Sequence, residues 1–460
     1  MTGRPRTTRT SPLPSASPMA PSASPMAPSA SPTAPSGRPG RASALSLGAL
    51  AVCAALTAGC GVLPSVTGSA DPVKVMTWAP QDTDATNKPG MPAMALAYAK
   101  WINSQGGIGG RKIQVLTCND HNNSVDAAKC ARRAADEDVV AVVGSYSQFG
   151  DSFLAPLESA GIPYIGGYGV TTDEFTGMMS YPVNGGQPAL LAGLGRALSG
   201  SCGPVSLVRP DSIAGDELPA LLDSGLQAGG HPKAQDQLVA EDLTEYGGPS
   251  DKALRYAAGD TLKKGCVVPA LGDRTDTFMD SFRRERADHP AVRLGTVLGS
   301  VDQTMINATG GSSGPYEGAY VTGWYPPAND ARWKQMKQVI NKEAFGDNRI
   351  DPADAGVQTT WIAYTVLKAV LEKIGDGEVS ADSVRKTLDG GLAVSTGGLT
   401  PTLRWPYEGK LASVGFPRMV NADVTLQVVQ DGELVAARKG VGGIDGTTDM
   451  TGTLEDADVE

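Results

Sequence analysis

The chain is poor in the residues that carry most enzymatic chemistry. Its 460 residues hold only three histidines, His121, His231 and His289. Each sits in a polar or loop context. None stands near a serine or cysteine in a nucleophile motif such as G-x-S-x-G, which argues against an exported hydrolase. No CxxC pair occurs, and only His121 lies near a cysteine, so a zinc site is not expected. Residues 106–110, GGIGG, follow a helical stretch and precede a strand, the reverse of what a phosphate loop needs. Aromatics make up only 5%. No basic stripe appears, and the formal charge of -10 argues against a nucleic-acid partner. The most apolar run, 44–58, is too short for an ordinary membrane span. No cofactor and no catalytic centre are expected, which argues against an enzyme.

What is present starts with an unusual N-terminus. Residues 1–37 are mostly Pro, Ser, Ala and Thr, with PSASPMA repeated at 14–20 and 21–27 and PSASPTA at 28–34. Such a repeat has no apolar face to bury, and disorder is expected. Arg38 and Arg41 then precede the apolar run 44–58, which is the pattern of a signal peptide over 38–60. It ends in Leu56-Thr57-Ala58-Gly59-Cys60, which resembles the bacterial lipobox. That resemblance implies lipid attachment at Cys60, cleavage before it and anchoring to the outer face of the cell membrane, with 61–72 as a tether. Removing residues 1–60 takes away five arginines and no acid, moving the formal charge from -10 to -15. Of six cysteines, Cys53 lies in the signal core and Cys60 is the lipid site. The other four allow three disulfide connectivities in an exported domain. The favoured one is Cys118–Cys130 with Cys202–Cys266, since each pair can then lie at neighbouring element ends within one lobe.

From residue 73 onward, apolar runs alternate with helical patterns, which points to an α/β fold with parallel sheets and helices on both faces. The central stretch is 139–167. Its run Val139-Val140-Ala141-Val142-Val143 reads as a central parallel strand. Ser145, Tyr146 and Ser147 follow in a loop, then a helix over 151–160 and a short strand at 162–165. That loop lies at a strand C-terminus and a helix N-terminus, where open α/β sheets bind ligands and where free N–H groups favour an anion. Tyr168, Gly169 and Thr171 follow the next strand end and face the same cleft by the same rule. Ser147 and Thr171 serve equally as ordinary turn or cap residues.

Ala97-Tyr98-Ala99-Lys100-Trp101-Ile102-Asn103, then Gly106-Gly107-Ile108-Gly109-Gly110-Arg111-Lys112-Ile113, then Asp120, resemble the leucine/isoleucine/valine-binding family of ABC-transporter solute receptors. The resemblance covers roughly 73–440. It implies two Rossmann-like lobes joined by three crossover strands, with 73–182 and 324–396 in lobe 1 and 183–323 and 397–440 in lobe 2. Residues 441–460, rich in Gly, Thr and acid, are expected to be disordered. It implies a small amino-acid ligand, branched-chain or related, held in the interlobe cleft and delivered to permease subunits; a sensing receptor signalling to a partner without transport is the alternative. Ser147 is implied to contact the ligand carboxylate. A family acid for the ammonium falls at Val301 or Asp302, of which Asp302 fits the chemistry. The family's second-lobe aromatic falls at Ala214, a departure. Trp78, Tyr146 or Phe149 supply the missing aromatic surface, or pack beside the hinge. The expected ligand contacts are thus Trp78, Ser145, Tyr146, Ser147, Tyr168, Gly169, Thr171 and Asp302.

Overall fold

The computed structural model of the protein describes residues 71–457, apart from 85, 213–214, 241, 260–263, 298, 407–414 and 438–446. The expected repeat, signal segment, lipid-bearing Cys60 and Ala214 lie outside the described residues, as does nearly all of the tether.

The first sheet grows from strands whose side chains are apolar on both faces. In chain order come β1 (Val73–Trp78), α1 (Gly90–Ser104), β2 (Ile113–Cys118), α2 (Ser124–Asp136), β3 (Ala141–Val143), α3 (Gly150–Ala160), β4 (Tyr164–Ile165), α4 (Asp173–Thr176) and β5 (Ser180–Tyr181). All pairings are parallel, in the order β2-β1-β3-β4-β5. All three residues of β3 are buried, as a central strand covered on both faces requires. Gly161 ends α3 in the left-handed conformation with φ 67°, the stop expected at that glycine.

The chain then crosses to a second sheet. It carries α5 (Gly186–Ser201), β6 (Val205–Pro210), α6 (Leu218–Ala228), β7 (Gln235–Val239), α7 (Gly247–Ala257), β8 (Cys266–Pro269), α8 (Thr275–Glu285), β9 (Arg293–Val297), α9 (Gln303–Ala308) and β10 (Tyr320–Gly323). A second crossing leads to α10 (Lys334–Glu343), α11 (Ala355–Ile374) and α12 (Ala381–Asp389), and α11 packs back on α1, β3 and β4. The third crossing returns to β11 (Asp423–Gln430) and β12 (Glu433–Ala436), which complete the order β7-β6-β8-β9-β10-β11-β12. The last strands pair antiparallel, so this sheet is mixed. The hairpin turn is Asp431-Gly432, both at positive φ (53° and 77°), as the Asp-Gly pair predicts.

Two expectations are corrected. The tail does not lack structure throughout. Strand β13 (Thr447–Asp449) pairs with the first half of β11, and α13 (Thr451–Glu455) follows it. Met450 and Leu454 are fully buried, and α13 packs on α5 and α6. Composition misled here, because two apolar residues four apart suffice to dock one helical turn. The loop after β9 also contains a helix, α9, that the sequence did not signal.

Both disulfides, Cys118–Cys130 and Cys202–Cys266, are present with Cα–Cα separations of 5.8 Å. The first ties the end of β2 to α2, and the second ties the end of α5 to the start of β8. Their loops span 12 and 64 residues. Replacing both cysteines of the longer loop by serine is expected to cost about 4 kcal/mol, against about 3 kcal/mol for the shorter. Equilibrium urea unfolding of the two variants checks the order. By the same measurement Leu454→Ala should cost about 2–5 kcal/mol; an unchanged midpoint would show that the tail contributes nothing.

Candidate functional site

The C-terminal ends of β3 and β4 place their loops side by side, as the βα topology dictates. Tyr146, after β3, meets Tyr168, after β4, with ring centroids 5.0 Å apart and edge to face. Trp324, on the second crossing, continues the wall at 5.1 Å from Tyr168. Above Tyr168 stands the Lys88 ammonium, 5.5 Å from the ring centroid. Lys88 Nζ donates to Asp354 Oδ2 at 3.0 Å, with side-chain exposures of only 16% and 21%. Burial works against the Lys88 ammonium, but the Asp354 carboxylate more than offsets it and holds the group above the ordinary lysine value. Asp354 is likewise held below the usual carboxylate range, its burial outweighed by Lys88.

The second lobe closes over this wall. Gly299 lies so near Tyr168 that a Cβ there would sit 2.4 Å from the phenol oxygen. Its φ of 98° also suits only glycine. Thr304, on α9, donates to Asp351 of the first lobe. Thr172 Oγ1 donates to Glu217 Oε2 at 3.4 Å, a second bond across the gap. Asp302, the residue before α9, lies within electrostatic reach of Asp354, Asp351 and Lys88. Its pKa is raised, by burial first and by Asp354 and Asp351 next.

Of the expected contacts, Tyr146, Tyr168 and Asp302 are brought to one place. The others are engaged elsewhere. Trp78 is the last residue of β1, and alternation along the strand turns it to the face of α2 and α3. There it packs on Phe153 and Tyr164 at 5.4 and 5.9 Å, fully buried. Phe149 packs with that same cluster. Ser145 Oγ accepts the Trp78 N–H at 3.1 Å. Ser147 is 1% exposed; its Oγ accepts the Phe149 N–H at 3.3 Å and lies beside Asp120, another buried acid. The Thr171 hydroxyl is buried against the Gly150 backbone, not in the cleft. Asp302 is not a free loop acid: its Oδ1 caps α9 by accepting the Met305 N–H at 2.8 Å.

The N–H groups after β4 already have an anion of their own. Gly169, Val170 and Thr171 donate to the Glu174 carboxylate at 3.1, 2.9 and 3.3 Å. Gly167 makes room for it, since a Cβ there would meet Glu174 Oε2 at 2.0 Å. Burial pushes Glu174 up to about 7, although the three N–H donors pull the other way.

The chain matches the family model described as periplasmic binding protein over residues 83–412. The chain belongs to the periplasmic binding protein family. Among solved structures, a substrate-binding periplasmic protein from Ralstonia solanacearum is 17% identical, with 79% of this chain and 99% of that one covered and a TM-score of 0.63. A solute-binding protein of an ABC transporter from Rhodopseudomonas palustris BisB5, solved with 3,4-dihydroxybenzoic acid, is 16% identical, with 82% and 98% covered and a TM-score of 0.63. A leucine-binding protein from Thermotoga maritima is 15% identical, with 80% and 98% covered and a TM-score of 0.60. No curated protein matches the sequence at a significant level. Membership in the periplasmic binding protein family places the folded chain outside the cytoplasm. Among the described residues no helix is long and apolar enough to cross a membrane, and no three His, Cys, Asp or Glu residues cluster to hold a metal.

In this periplasmic binding protein, sequence reasoning missed Lys88, Asp354, Trp324 and Glu174. Asp354 had a legible signal, an acid just before an amphipathic helix that it caps through the Val357 N–H at 2.9 Å. Lys88 had none, because its role depends on the folding of a polar loop against α11.

Glu174 yields a pH prediction. Its folded pKa of about 7 exceeds the ordinary 4.5, so the native state binds the proton more tightly than the unfolded chain. The stabilisation is complete below about pH 4.5 and is lost as pH rises through about 7, amounting to about 3 kcal/mol. Chemical denaturation from pH 5 to 8 should show this decline, and Glu174→Gln should flatten it.

Proposed function

We propose that this chain is the extracytoplasmic solute receptor of an ABC importer, anchored through lipid on Cys60. Its lobes, 73–182 with 324–396 and 183–323 with 397–440, close on a small apolar amino acid delivered to permease subunits. The observation that carries this reading is the aromatic wall Tyr146–Tyr168–Trp324 with charges of both signs at its rim. Lys88 suits a carboxylate; Asp302, with Asp354 behind it, suits an ammonium. The wall suits a branched or aromatic side chain. Tyr168 and Asp302 come from different lobes, which gives a ligand the differential contacts that closure needs.

A second reading, a hydroxylated benzoate, is favoured by the same wall and by the Rhodopseudomonas relative solved with such an acid. A monoanion would use Lys88 and offer Asp302 no cationic partner.

Titration calorimetry with amino acids and benzoates decides between them. Heat is expected with an apolar amino acid, with Lys88→Met and Asp302→Asn each weakening it about tenfold or more. Binding of benzoates alone, spared by Asp302→Asn, would establish the second reading. Silence across the panel would refute both.

A further inference from the structure

The outer face of α10 differs from the rest of this acidic molecule. Residues 332–349 hold five basic and two acidic residues, in a chain with 39 basic and 49 acidic overall. Met336, Val339 and Ile340 form the buried side of the helix. At about 100° per residue, Lys334, Lys337 and Lys342 fall within about 140° of the opposite side. The helix ends at Glu343, and Phe345 follows in the turn after it. Phe345 is 91% exposed, the most exposed large apolar side chain of the described residues. Beside it runs a shallow groove floored by Ala93, Leu96 and Ala97 of α1 and edged by Lys100. The two acids are already neutralised within the chain: Glu343 pairs with Lys342 at 3.3 Å and Asp347 with Arg349 at 2.6 Å. Lys100, Lys334 and Lys337 therefore give this face its net positive charge.

We propose that this face docks on the anionic lipid surface of the membrane, with Phe345 entering the headgroup region and the lysines facing lipid phosphates. Clustered lysines attract an anionic bilayer surface, and an exposed aromatic side chain beside them adds apolar area that can enter the headgroup region. Charge also orients the contact: the remaining surface carries the excess of acid and is repelled. The inference stands on this face alone and needs neither the ligand reading nor the anchor at Cys60.

Hydrogen exchange on the full chain, with vesicles of phosphatidylglycerol or of phosphatidylcholine, tests it. Backbone exchange over 334–349 is expected to slow about fivefold or more on phosphatidylglycerol relative to phosphatidylcholine, and to recover in high salt. The triple variant Lys334→Glu, Lys337→Glu, Lys342→Glu, and separately Phe345→Ser, should abolish the difference while keeping the melting temperature of the parent. Equal exchange on the two lipids overturns the proposal. So does protection that needs no vesicles and grows with protein concentration, which would assign the face to a second copy of the chain.

Discussion

The Lys88–Asp354 ion pair connects parts of lobe 1 that are far apart in sequence. Lys88 ends the polar loop after β1; Asp354 opens α11, more than 260 residues later. Together they fasten the loop over the mouth of the first sheet. Taking two charges largely out of water is costly, and a hydrophobic pair of similar shape often holds as well. Specificity is the better explanation for an ion pair here. It fixes where one ammonium stands, above the Tyr168 ring, and Tyr168 is the residue on which Tyr146, Trp324 and Gly299 converge.

The hinge is held differently, by side chains bonding to the backbone and, in one case, to a side chain of neighbouring crossings. Trp324 Nε1 donates to Gly186 O at 2.9 Å, tying the second crossing to the first. Trp405 Nε1 donates to Pro182 O at 2.9 Å, tying the third to the first. Asn184 Nδ2 donates to the Tyr325 hydroxyl at 3.0 Å, and Thr425 Oγ1 to the Tyr325 carbonyl at 2.9 Å. These partners are buried, so each lost bond would strand a polar group.

The βα alternation was legible because buried parallel strands are apolar without a break and glycine ends the helices; 139–167 carried both signals. The disulfide pairing followed from which element ends can be neighbours. The site was legible only in outline. Strand ends say which loops come together, which is how Tyr146 and Tyr168, which meet in the structure, were singled out. They do not say which polar atoms the loops use up themselves, and so Ser145, Ser147, Gly169 and Thr171 were read as open to a ligand. Trp78 was misplaced for a simpler reason: one step along a strand reverses the face. Lys88 and Glu174 were invisible because their partners are set by loop conformation, which leaves no period in the sequence.

The self-satisfied loop after β4 bears on what the cleft can hold. With Glu174 taking the Gly169, Val170 and Thr171 N–H groups, an incoming carboxylate meets no free donors there. It must find its counter-charge elsewhere, and Lys88 is the cation at the aromatic wall. Sharing Lys88 with a ligand does not leave Asp354 unsupported. Its Oδ1 accepts the Val357 N–H at the start of α11, where the helix dipole favours a negative charge. The pair is therefore asymmetric: the carboxylate has a second source of stabilisation, and the ammonium, on its long flexible stem, is the partner free to turn toward a guest.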